Sequence, residues 1–191
     1  MIGWLVELDK KAFLFLNGKH SPVWDEIMWW ISGKTSWIPF YVILLIIIIY
    51  RERPYKFIYT IVFVAIVVFL CDKLSVLIKD FIERPRPTHD PVIANMVHIV
   101  KNYRGGTYGF VSSHAANTFG VAVFLASWFK NNKWSLFLIA WATIVSYSRI
   151  YLGVHYPLDI IFGALLGILI GSQCYVYKVW TMVYIERKRL R

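Results

Sequence analysis

The chain has 191 residues, of which 58% are hydrophobic and 18% aromatic, with a mean hydropathy of +0.54, a composition too apolar for an ordinary soluble domain and one that makes the bilayer the expected solvent. The formal net charge of +10 is carried between hydrophobic runs and near the C-terminus, which argues for anionic lipid headgroups and against nucleic acid as the basic residues' partner. Two cysteines, Cys71 and Cys174, both lie inside apolar runs, so neither a disulfide framework nor a cysteine metal site is expected.

The opening MIGWLVELDKK lacks the basic start and small-residue cleavage site of a signal peptide and is expected to remain in the mature protein. Residues 1–34 interleave Trp4, Leu5, Leu8, Phe13, Leu14 and Leu16 with charge, the pattern of an amphipathic helix lying at the membrane interface. A second such helix is expected over 22–33, with Trp24, Trp29 and Trp30 at the headgroup boundary. Residues 35–191 form the second unit. A helix needs about 20 mostly apolar residues to cross the hydrocarbon, and apolar stretches near 35–50, 57–78, 113–129, 134–150 and 156–178 meet or approach that length. The basic linkers RERPYK and KNNK and one longer polar segment, 79–112, join them. The expected fold is therefore all-α: an integral membrane helical bundle of about five transmembrane helices plus N-terminal amphipathic interfacial helices.

Orientation follows from Lys and Arg, which favour the cytoplasmic side. Arg51, Arg53 and Lys56, then Lys130 and Lys133, then Arg187, Lys188, Arg189 and Arg191 share one side if there are five crossings. The segment 79–112 and the 150–156 turn then lie outside the cytoplasm, together with the N-terminal segment. That arrangement suits a bacterial inner membrane with the polar segment facing the periplasm.

Three clusters carry chemistry. Lys79, Arg84 and Arg86 sit in KDFIERPRP, where Pro85 and Pro87 should end the second span; taken alone, the cations also fit a plain interfacial anchor. GGTYGFVSSHAAN leads directly into an apolar helix, so free backbone N–H groups and the helix dipole can hold an anion. In SRIYLGVHYPLD, Arg149 ends the fourth span while His155 and Asp159 open the fifth, four residues apart and on one helix face. A carboxylate there can fix the tautomer of His155 and leave its other ring nitrogen as a directed lone pair; alone, such a pair also fits a helix-stabilising contact. The topology brings all three clusters to one membrane face, where they supply cations, an N–H-lined turn and two histidines, the ingredients of phosphoryl transfer without a metal.

The spacing K-x6-R-P from Lys79 to Pro87, S-x-H from Ser112 to His114 and S-R-x5-H-x3-D from Ser148 to Asp159 resembles the three motifs of the type 2 phosphatidic acid phosphatase superfamily. The second motif departs from that family's usual P-S-G-H, reading Val111-Ser112-Ser113-His114 here; Ser113 must let phosphate approach the backbone where glycine does so more easily. The resemblance implies a membrane lipid phosphatase in which His155 attacks phosphorus to form a phosphohistidine, Asp159 orients it, and His114 protonates the leaving oxygen. Lys79, Arg86, Ser112, Ser113 and Arg149 would hold the phosphate oxygens. No metal and no other cofactor is implied.

The expected partners are membrane lipids and a phospholipid or polyprenyl (di)phosphate substrate, with no obligate protein partner evident. Undecaprenyl diphosphate, phosphatidylglycerophosphate, phosphatidic acid and the phosphates of lipid A all fit, with a slight lean to undecaprenyl diphosphate because the chain and its loops are short. Two other classes stay open: a metal-dependent membrane hydrolase using His114, His155 and Asp159 as ligands, and a non-catalytic lipid-phosphate-binding protein. Outside the motifs, Arg84 reads as solvated or rim-lining, and His89 and His98 as surface residues. Asp72 and Lys73 should face the bundle, water or the interface. Gly163, Gly167 and Gly171 should let another helix approach closely.

Overall fold

The computed structural model describes residues 3–189; Arg191, counted above among the C-terminal basic residues, lies outside them. Its regular elements are α1 (Gly3–Asn17), α2 (Pro22–Ser32), α3 (Ile38–Arg51), α4 (Pro54–Ile82), α5 (Ser113–Phe129), α6 (Asn132–Tyr151) and α7 (Pro157–Arg189), with short 3-10 turns between them. Local chemistry starts and stops these helices. Pro22, Pro54 and Pro157 stand in the first helical turn, where no N–H is needed. Side chains of Ser21, Ser112 and Asn131 accept first-turn N–H groups of α2, α5 and α6. α4 ends where Glu83 turns left-handed at φ 52°, two residues before Pro85.

α5 is the centre of the bundle, flanked by α4, α6 and α7, and its Phe124 and Leu125 pack with Val67, Cys71, Leu138, Ala142 and Ile170. The α5–α7 seam depends on small residues. A Cβ on Gly167 would run into the Ala116 carbonyl oxygen and stand 2.8 Å from the Gly120 nitrogen, so the glycine repeat serves packing inside the chain. The outer faces are as apolar as the core: Ile43, Ile46, Phe69, Leu77, Leu165 and Val176 are all exposed, which fits lipid as the surrounding medium. This is an integral membrane protein.

Five helices, α3 to α7, occupy the stretches expected to cross, but their lengths do not establish five crossings. Among the described residues, two helices, α4 and α7, are long and apolar enough to cross alone; α2 and the stretch Thr35–Arg51 would make a third, but they bend by 74° at their junction. α3 has 14 residues and α5 has 17, about 21 and 26 Å against a hydrocarbon of about 30 Å.

At the end of the bundle away from the three motifs, Glu52 accepts hydrogen bonds from Trp128 Nε1 at 2.7 Å and Lys178 Nζ at 2.9 Å, Lys56 pairs with Glu186 at 2.6 Å, and Arg51, Arg53, Lys56 and Lys130 border one pocket. The basic linkers therefore gather there with the end of α7. The N-terminal helices belong to the motif end. α1 buries Asp9, Phe13 and Asn17, and the Asn17 amide donates to the carbonyl oxygens of Ile150 and Tyr151 at 3.2 and 2.8 Å. An interfacial helix would bury only its apolar side in lipid; this one also turns Asp9 and Asn17 inward, with Asn17 on the turn between α6 and α7.

Candidate active site

The last turn of α4 presents Lys79, whose ammonium donates to Ser113 Oγ at 2.5 Å; Ser75, one turn earlier, reaches the same hydroxyl at 2.7 Å. Beyond Glu83 the backbone is extended and pairs with residues 107–109: the Arg86 N–H donates to the Thr107 oxygen at 3.0 Å and the Gly109 N–H to the Arg84 oxygen at 2.9 Å. That two-residue alternation puts Arg84 and Arg86 on one side of the segment. Arg86 is then held by the carbonyl oxygens of Tyr108 (3.1 Å) and Val154 (3.3 Å), which leaves its guanidinium 3.4 Å from His155 Nε2.

α6 delivers Arg149 in its last turn, bonded to Tyr103 Oη at 3.2 Å and to Ser32 Oγ. The turn after α6 carries His155, 2% exposed, and the first turn of α7 carries Asp159, fully buried. Asp159 Oδ2 accepts the Tyr156 N–H at 3.0 Å and faces His155 Nδ1 at 3.4 Å. Nδ1 is thereby turned to the carboxylate and Nε2 to the cations. Burial, then the charges of Arg86, Arg149 and Lys79, hold the His155 pKa well below the ordinary imidazole value, which favours the neutral ring with its lone pair.

Lys79, Arg86, Ser113, His114, Arg149 and His155 all line one cavity of about 920 Å³. Asp159 stands behind His155. Ser112 departs from its expected place: its N–H is taken by the Asp159 carbonyl oxygen at 2.9 Å and its hydroxyl caps the Ala115 N–H, so the anion-facing part of this turn begins at Ser113. Asp72 and Lys73 also line the cavity, whereas His89 is exposed and His98 is half-buried, 2.9 Å from Asp25. Arg84 corrects the sequence reading most. It is 8% exposed and bridges Asp159 at 2.9 Å and Asp9 at 2.7 Å. Reading ERPRP as an extended run would have placed Arg84 on the face of Arg86; nothing local pointed to Asp9, Ser32 or Tyr103. Among the described residues, no three His, Cys, Asp or Glu side chains converge as a metal-holding group.

The sequence pattern of the PAP2 superfamily matches residues 56–182, a stretch that contains every motif residue in this cavity. The chain belongs to the PAP2 superfamily. Among relatives of this PAP2 chain, a lipid A 4'-phosphatase of Bacteroides thetaiotaomicron is 38% identical over 169 residues, 87% of this chain and 75% of that protein. Another, from Porphyromonas gingivalis, is 35% identical over 178 residues, 93% of this chain and 75% of that protein. The crystal structure of Aquifex aeolicus LpxE superposes with a TM-score of 0.67 at 26% identity, covering 87% of this chain and 94% of that one.

Proposed function

We propose that this PAP2 protein removes a phosphate from a membrane lipid through a phosphohistidine on His155, without a metal, at a face of the bilayer outside the cytoplasm. The observation that carries this reading is the shape of the cavity. One end is walled by Lys79, Arg86, Arg149, Ser113, His114 and His155; the rest runs between α3, α4 and α5 over Leu44, Ile48, Ile61, Val64, Val121 and Leu125. Such a site takes a phosphate at one end and an acyl or prenyl chain at the other, an arrangement that a water-soluble phosphate does not need.

In the proposed reaction His155 Nε2 attacks phosphorus, the bond from phosphorus to the lipid oxygen breaks, and that oxygen takes a proton from His114. Lys79, Arg86 and Arg149 hold the three peripheral oxygens as charge spreads over them, with the Ser113 end of α5 adding its N–H groups. Water then attacks the phosphohistidine and gives its proton to His114, and inorganic phosphate leaves. Asp159 keeps Nδ1 protonated and the ring in line throughout.

The Bacteroides and Porphyromonas relatives favour a phosphate on an acylated saccharide headgroup of the lipid A type as the substrate, ahead of undecaprenyl diphosphate. The gathering of basic linkers at the far end of the bundle supports a cytoplasmic placement for that end. The test is phosphate release by detergent-purified protein in chelator from a lipid A phosphate, undecaprenyl diphosphate, phosphatidylglycerophosphate and phosphatidic acid. Turnover fastest on the lipid A phosphate is expected. Absence of turnover on all four would overturn the reading, and turnover abolished by chelator would remove its metal-free form.

A further inference from the structure

The cavity does not explain why Arg84 and Asp9 are buried together behind it. The Arg84 guanidinium lies over the Tyr156 ring at 4.1 Å, with one amino group 2.9 Å from Asp159 Oδ1 and the other 2.7 Å from Asp9 Oδ2. The side chains of Arg84, Asp9 and Asp159 are 8%, 1% and 0% exposed. Asp9 also accepts, on its other oxygen, the N–H of Leu158 at 3.0 Å, the residue just before Asp159. One carboxylate on α1 therefore grips both the arginine that holds Asp159 and the backbone that carries it.

We infer that Asp9, acting through Arg84, is a positioning residue for the Asp159–His155 pair, which makes the N-terminal helix part of the reaction centre. This inference rests on His155 being the nucleophile. A guanidinium is a fork that binds a carboxylate through two parallel N–H bonds when it is free to do so. Asp9 occupies half of that fork. Arg84 then takes only Oδ1 of Asp159, and Oδ2 stays with His155 Nδ1 and the Tyr156 N–H. Without the Asp9 charge, Arg84 can close on both oxygens of Asp159 and draw Oδ2 away from the imidazole. Phosphate binding is untouched, because Lys79, Arg86 and Arg149 lie in front of this layer.

The experiment uses the full chain in detergent with the lipid that the wild type turns over, and compares Asp9→Asn, Asp9→Glu, Arg84→Gln, the double variant Asp9→Asn/Arg84→Gln, and Lys10→Met. Asp9→Asn is expected to lower kcat about 10- to 100-fold, the range found when a partner supporting an active residue is lost, with KM within about two-fold. Asp9→Glu should recover most of that loss. In the Arg84→Gln background, adding Asp9→Asn should cost less than about two-fold, since residues acting as one unit are non-additive. Lys10→Met removes a different ion pair of α1, the 2.9 Å contact of Lys10 with Asp90, and should keep the wild-type kcat. Arg84→Lys keeps the charge but replaces the rigid fork, whose two amino groups reach Asp159 and Asp9 separately, with a single point charge; it should show the same kcat-selective loss, and it carries the test if Asp9→Asn does not fold. If Asp9→Asn and Arg84→Lys keep kcat while His155→Ala abolishes turnover, the inference falls and the reading of the site stands. Turnover retained by His155→Ala would overturn both.

Discussion

Replacing Gly109 with alanine is expected to slow the reaction without weakening substrate binding. Gly109 is not among the positive-φ residues, so alanine meets no backbone strain, only its neighbours. The new Cβ would stand 2.9 Å from Asp159 Oδ2, 3.3 Å from Arg86 Cγ and 3.6 Å from His155 Nδ1. The Gly109 backbone cannot retreat, because its N–H is bonded to the Arg84 oxygen at 2.9 Å. The carboxylate therefore has to yield by about half an ångström to reach ordinary contact, and the line from Asp159 to His155 yields with it. A misplacement of about 1 Å at a reacting centre costs on the order of 100-fold, so a kcat loss of about 10- to 100-fold is expected, with KM little changed; the fold itself should lose about 1–3 kcal/mol from the added volume. Steady-state phosphate release from mixed micelles, beside thermal unfolding, reads both. Gly106→Ala, whose Cβ meets nothing within 4 Å, serves as the comparison and should behave as wild type. A Gly109→Ala enzyme with wild-type kcat would refute the placement of the Asp159–His155 pair.

Filling the apolar arm of the cavity should separate long-chain from short-chain substrates. Val64→Trp that displaces about four methylenes of a lipid chain would cost about 3 kcal/mol at about 0.8 kcal/mol each, roughly 150-fold in kcat/KM for a long-chain lipid; an equal loss on a short-chain phosphate would contradict the channel. His155 should resist protonation, since burial and then Arg86, Arg149 and Lys79 lower its pKa. Its NMR resonance, assigned by difference from His155→Ala, should stay that of a neutral ring at pH 6, and a midpoint at or above 6.5 would refute this. The sign for stability follows from the same shift: the unfolded chain takes up this proton near pH 6.5 and the folded one does not, so the fold loses stability as pH falls below that value.

The helices and the clustering of the motif residues were legible because each rests on a local requirement: apolar length for a span, proline to stop α4, and fixed spacings of cations and histidines at the ends of successive spans. Six of those side chains line one cavity. What the sequence hid lies in pairings between distant segments. Arg84 meets Asp9 and Asp159 across 75 residues in each direction, and Asn17 meets Tyr151 across 134. A charged residue with no local partner reads as solvated, and in a membrane protein the polar face of an N-terminal helix reads as water-facing. Burial of both was decided by a partner elsewhere. Ser112 was misread for a related reason: a free helix-start N–H looks available until the fold shows that the Asp159 carbonyl takes it.

The most direct test of the account is to locate the transferred phosphoryl group. Enzyme mixed with lipid carrying a radiolabelled phosphate, quenched at alkaline pH within one turnover and digested, should carry label on the peptide containing His155, with none on His155→Ala. Label on another residue, or steady turnover of the His155→Ala enzyme, would contradict the proposed nucleophile and the reaction built on it.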